Sequence, residues 1–92
     1  AVGALAAIDT EHQTGKIKVY SVDGSKDMKK LLGVNKSAHV TVAQFPIEMG
    51  NLAAKVAYKL IDGKKVPKKI ILPVKTITTK NLNYYNTSGW QK

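Results

Sequence analysis

The sequence predicts an α/β fold in which helices flank an open, mostly parallel sheet. Three observations carry that reading. Helix-like and strand-like segments alternate along the chain, their apolar residues repeat at about 3.6 and 2 positions respectively, and turn residues separate them.

The elements follow in order. Residues 2–13 place Val2, Leu5, Ala6, Ile8 and His12 on one helical stripe, which Gly15 ends. "KIKVYSV" (16–22) alternates as a strand, with Ile17, Val19 and Ser21 on one face and Lys18, Tyr20 and Val22 on the other. "DGSKD" makes a turn, and Ser25 caps a short helix through Leu32, with Asp27 favourably placed in its first turn. Gly33 and Asn35 stop it. "SAHVTVAQ" (37–44) is the second strand. From Pro46 a longer helix runs to Asp62, with Met49, Leu52, Ala53, Val56, Ala57 and Leu60 on its apolar side and Glu48, Asn51, Lys55, Lys59 and Asp62 opposite. Pro46 suits a first helical turn and Gly63 the position just past the end. "IILPV" and "KTITT" read as extended, with Pro73 keeping the former off a central strand position. The tail, 81–92, is polar with aromatics and reads as coil.

Composition narrows the function. Ninety-two residues make one small domain or a piece of something larger. There is no Cys, which removes disulfides, thiol nucleophiles and thiolate metal sites. No apolar run approaches the ~20 residues that a membrane helix needs. The opening "AVGALAAIDTEHQ" has no basic n-region and is not an intact signal peptide, and it enters a helix without a cap, so further sequence is expected upstream. The net charge of +9 comes entirely from lysine in its positive part, for all 15 basic residues are Lys. Readers of nucleic acid use the two-pronged guanidinium of Arg, so the charge reads as a solvated surface and no nucleic-acid partner is expected. The tightest group, Lys64, Lys65, Lys68 and Lys69, flanks a helix end whose dipole it complements.

In an open α/β sheet ligands sit beyond the carboxyl ends of the strands. That rule singles out Asp23, after "VYSV", and Gln44, after "HVTVA". An ionised Asp accepts hydroxyl hydrogen bonds and a Gln both donates and accepts, so the pair suits a hydroxyl-rich, uncharged ligand. The competing readings are a turn Asp before Gly and a strand-terminating Gln. Phe45 alternates away from Gln44 and reads as a core or hinge residue. Tyr84, Tyr85 and Trp90 have faces that suit a sugar ring, but no predicted element aims them, and packing against the body is the reading. His12 and His39 lie on different elements with no HExxH or Cys partner. No Ser–His–Asp spacing, glycine-rich phosphate loop or close carboxylate pair is present. The chain reads as no enzyme, with no catalytic residue, cofactor or metal.

These same residues carry a resemblance. "KVYSVDGSKDMKKLL", "HVTVAQFPIEMGNLAAKVAYKLIDGKKVP" and "PVKTITTKNL" resemble the C-terminal third of type I periplasmic sugar-binding proteins, the ribose- and galactose-type solute receptors of ABC importers. "VGALAAI" resembles the helix after that family's "ND.MA" segment, and the likeness covers about residues 1–82 in the family's order and spacing. It implies a periplasmic-binding-protein-like, Rossmann-like sheet and a fragment of a two-lobe fold. It implies that Asp23 and Gln44 contact sugar hydroxyls. The position before that Asp often holds an aromatic that packs on the sugar; here it is Val22. The family's Asn ahead of the first helix falls upstream of Ala1. Residues 1–44 would belong to the C-terminal lobe, 45–82 would cross the hinge and return in part to the N-terminal lobe, and 83–92 would form a tail. The implied partners are a monosaccharide and a membrane permease, and the implied location is periplasmic or lipid-anchored outside the cell. The effector-binding core of sugar-responsive transcription repressors shares this pattern and stays open as an alternative. Taken alone, the fragment is expected to hide its unpaired edges and apolar stripe by self-association.

Overall fold

The computed structural model describes residues 1–90, and Gln91 and Lys92 lie outside the described residues. The elements are α1 (Val2–Thr10), β1 (Val19–Asp23), α2 (Lys26–Val34), β2 (Ala38–Ala43), α3 (Pro46–Ile61) and β3 (Lys75–Thr78), followed by one 3₁₀ turn, Leu82–Tyr84. The three strands form one sheet in the order β1-β2-β3. β1 and β2 run parallel, with Asp23 opposite Ala43. β3 runs antiparallel to β2, with Lys75 opposite Ala43 and Thr78 opposite Val40. The sheet is open and helix-flanked, and one of its two pairings is parallel.

Local chemistry explains where the helices stop. α1 ends three residues before the expected position. His12, with φ 56°, takes the left-handed conformation, its N–H donating to the Asp9 carbonyl while the Gln13 N–H donates to Ile8. That is a Schellman closure with His in the place usually held by Gly. Gly15 instead bends the following loop, and its N–H donates to the buried Ser37 hydroxyl at 2.8 Å. At α2 the Ser25 hydroxyl accepts from the Met28 N–H at 3.2 Å, the cap that the sequence predicts. The helix carries Gly33 within its last turn and closes on Asn35, whose N–H reaches the Leu31 carbonyl. α3 starts with Pro46 in its first turn and closes on a second Schellman arrangement, with Gly63 at φ 75° and the Lys64 N–H donating to Lys59.

The core lies between α2 and the sheet. Met28 and Leu32, one turn apart on α2, are buried with Ile77, Ala38 and Ala43 from the strands, Leu5 from α1, and Phe45. Burying each of the large side chains contributes roughly 1.5–3 kcal/mol. Leu82 and Tyr85 pack against this cluster and hold the tail to the body.

The segment between β2 and β3 behaves differently. None of the residues of α3 is buried, and Met49, Leu60 and Ile61 are exposed. Ile70–Val74, expected as extended, joins no ladder: Pro73 lacks an N–H, and the neighbouring stretch of chain is α3 rather than a strand. It runs instead along the apolar side of α3, and the two form an open groove of about 560 Å³ with Phe45, Leu52, Val56, Leu60, Ile70 and Leu72 among its walls. The molecule measures 59 × 22 × 16 Å with a radius of gyration of 17.2 Å. A compact chain of this length would have roughly 12 Å. The excess is this arm.

Candidate functional site

The two strand ends that the sequence singles out meet. Asp23 and Ala43 are register partners on parallel strands, and Gln44 follows Ala43 directly. The Gln44 backbone N–H donates to the Asp23 carbonyl at 3.4 Å, so the sheet ladder continues into the candidate site.

Local packing sets the conformation of Asp23. Gly24 passes so close to β2 that a Cβ built on it would stand 2.5 Å from Ala43 Cβ and 2.7 Å from its Cα. No residue but glycine fits there, and its φ of 66° favours glycine as well. The Gly24 N–H donates to the Thr41 hydroxyl at 3.1 Å, and Thr41 is fully buried in the middle strand. This side-chain acceptor replaces the strand partner that the turning backbone gives up. Asp23 itself has φ 110°, a sterically costly value for a residue with a Cβ. Such strain costs about 1–3 kcal/mol and is retained where the surroundings over-determine it. Here Thr41 and Ala43 supply that constraint.

The side chains of Asp23 and Gln44 are both exposed, and neither takes part in a side-chain hydrogen bond among the described residues. They line one open cavity of about 710 Å³ together with Pro46, Ile47, Gly89 and Trp90. Two polar groups that accept and donate therefore face an otherwise apolar surround. That combination fits a small neutral ligand with several hydroxyls.

Pro46 and Ile47 begin α3, so the arm forms one wall of the cavity. Phe45 is buried in the core, as its alternation with Gln44 predicts. Tyr85 packs against the core as expected, whereas Trp90 reaches the cavity. Nothing periodic in the tail marks Trp90, and the contact depends on how residues 79–90 fold back over the body. His39 meets Tyr20 ring to ring, with centroids 5.8 Å apart. No group of three His, Asp or Glu among the described residues is placed to hold a metal ion. Lys29 is buried on α2, and its desolvation lowers the pKa of its ammonium; it does not line this cavity. No helix among the described residues is long and apolar enough to cross a membrane.

A family model described as periplasmic binding protein domain matches residues 1–65. The ribose import binding protein of Bacillus subtilis (strain 168) is 42% identical over 78 residues, which cover 84% of this chain and 25% of that protein. The ribose import binding protein of Haemophilus influenzae (strain ATCC 51907) is 35% identical over 78 residues, covering 85% of this chain and 26% of that protein. The chain thus spans about a quarter of the length of these relatives.

Proposed function

The chain belongs to the periplasmic binding protein domain family, and from that premise we propose that it is part of a receptor that binds a monosaccharide for import. The observation that carries the reading is the meeting of Asp23 and Gln44 at neighbouring strand ends, with both side chains free to a shared cavity. The Asp23 carboxylate accepts sugar hydroxyls and the Gln44 amide both donates and accepts. The similarity to two ribose import binding proteins supports a monosaccharide as the substrate class. The protein works by binding, as no enzyme, and without a cofactor.

The rest of the proposal follows the receptor's shape. Residues 1–44 belong to one lobe, and the arm, 45 to 74, leaves it and contributes α3 to the other. Gln44 then lies at the hinge, where the ligand touches both lobes. Contacts completed only in the closed form shift the population toward closure. The closed form is what the permease of an ABC importer reads, and the receptor acts outside the cytoplasmic membrane. The apolar side of α3 is covered by the rest of the N-terminal lobe in the intact receptor, and by a second copy when the 92-residue chain stands alone.

Calorimetric titration of the full-length protein with D-ribose, D-galactose and D-glucose tests the reading. A saturable 1:1 isotherm with one of them is expected. Raising salt from about 50 to about 200 mM should leave that affinity nearly unchanged, whereas a polyanion-binding surface would lose orders of magnitude. Absence of binding to all three sugars, with salt-sensitive binding to duplex DNA instead, would overturn it.

A further inference from the structure

The cavity holds one aromatic residue, and neither the family match nor the strand-end rule points to it. Trp90 lines it beside Gly89, across from the Asp23 and Gln44 strand ends and the start of α3. It is the chain's single tryptophan and is 45% exposed, so about half of its surface is packed and half is open.

The tail is anchored well before it reaches that point. The Thr79 hydroxyl donates to the Leu32 carbonyl at 3.2 Å, and the Asn81 amide donates to the Thr76 carbonyl at 2.9 Å. The Asn81 side-chain oxygen accepts from the Thr78 N–H, closing the turn after β3. Leu82 and Tyr85 pack on the core, and the Ser88 N–H donates to the Asn86 side-chain oxygen at 2.8 Å. β3 runs away from Asp23 and Gln44, and residues 85–90 lead the chain back to them. Leu82 and Tyr85 thus fix the tail to the core up to five residues before Trp90, which reduces the entropy lost in holding the aromatic at the cavity.

We infer that Trp90 is the residue on which the sugar ring rests, with Asp23 and Gln44 taking its hydroxyls; the inference rests on the sugar-binding reading above. A monosaccharide carries hydroxyls around its edge and C–H groups on its faces, so it needs polar partners at the rim and a flat apolar partner on one face. Among the cavity's residues only Trp90 supplies a flat surface of that size. Val22, the residue before Asp23, is aliphatic and does not line the cavity.

The test compares Trp90→Ala, Trp90→Phe and Tyr84→Ala in the full-length protein by calorimetry with D-ribose, D-galactose and D-glucose, and reads thermal stability alongside. Tyr84 is the tail's exposed control. Trp90→Ala should weaken the bound sugar by about tenfold or more, Trp90→Phe should recover most of that loss, and Tyr84→Ala should change nothing. If Trp90→Ala binds sugar normally while Asp23→Ala does not, the inference about Trp90 falls and the sugar-binding reading stands. If Trp90→Ala and Trp90→Phe lose stability and affinity together, Trp90 is a packing residue and the inference also falls. If the parent protein binds none of the three sugars, both fall.

Discussion

The backbone of Gln44 is hydrogen-bonded to the backbone of Asp23, N–H to carbonyl at 3.4 Å, at the ends of two parallel strands. The two proposed sugar ligands are thereby held in one frame. A shift of either strand end moves both side chains. The relationship makes position, rather than the mere presence of a carboxylate and an amide, the quantity to be tested.

Asp23→Ala should weaken monosaccharide binding by the full-length protein about tenfold or more, because a charged acceptor is lost from the ligand's hydroxyls. Its melting temperature should hold or rise slightly, since the side chain has no partner within the described residues. Calorimetry together with a thermal melt checks both parts. Unchanged affinity would remove Asp23 from the site.

Gln44→Ala should also raise the dissociation constant without unfolding the protein. The backbone bond to Asp23 survives this substitution, so a structural role for the amide predicts a different pattern. A mutant that melts well below the parent and binds sugar normally would identify Gln44 as a strand terminator.

Thr41→Val keeps the shape of a fully buried side chain and removes the acceptor for the Gly24 N–H. Stability should fall by roughly 1–3 kcal/mol, the cost of a buried donor left unsatisfied. Sugar affinity should fall with it, because the Gly24 turn aims Asp23. Chemical denaturation and calorimetry on the same preparation measure the two effects, and a variant as stable as the parent would show that the Thr41 hydroxyl is dispensable.

Gly24→Ala should be strongly destabilising. The added carbon meets Ala43 at 2.5 Å against backbone that has little room to yield, and φ 66° disfavours any Cβ. Overpacking costs about 1–3 kcal/mol and the left-handed conformation about 1 more. Gly24→Ala combined with Ala43→Gly should relieve only the Cβ–Cβ clash and leave both the 2.7 Å approach to the residue 43 Cα and the conformational cost, so a double-mutant comparison of denaturation midpoints should show partial recovery.

The 92-residue chain on its own should associate at tens of micromolar. The apolar side of α3 and Ile71 and Val74 beside it stand uncovered, and more surface of that kind is exposed than a small monomer tolerates. Sedimentation equilibrium should return a mass above the monomer. A clean monomer that binds sugar like the intact receptor would refute the division of the arm from the rest.

Much of this was legible because short-range rules carried it. The Ser25 cap, Pro46 at the head of α3 and Gly63 at its tail are local chemistry. The same holds for the alternation that brings Asp23 and Gln44 to strand ends. What escaped depends on contacts made at a distance. His12 closes α1 in a conformation that sequence associates with glycine. The φ of 110° at Asp23 follows from the pressure of Ala43 on Gly24, which no residue-by-residue propensity contains. β3 is antiparallel because the arm leaves and returns at the same end of β2, and strand direction cannot be read from "KTIT" alone. Trp90 went unplaced because the tail has no period, only a series of side-chain anchors.

The arm leaves at Gln44 and returns at Lys75, and Lys75 is the ladder partner of Ala43. Both roots therefore sit on a single rung. A mechanical load on the arm reaches the sheet at that rung and pulls β2 and β3 apart from one end, so the rungs would break in sequence, from Ala43–Lys75 to Val40–Thr78, rather than together as they would in shear. Peeling of this kind needs little force at any moment. On the other edge of β2 the Gln44 N–H bond to the Asp23 carbonyl ties the root of the arm to β1 as well, so the same load also pulls on the end of the parallel pair, and Asp23 and Gln44 feel it together.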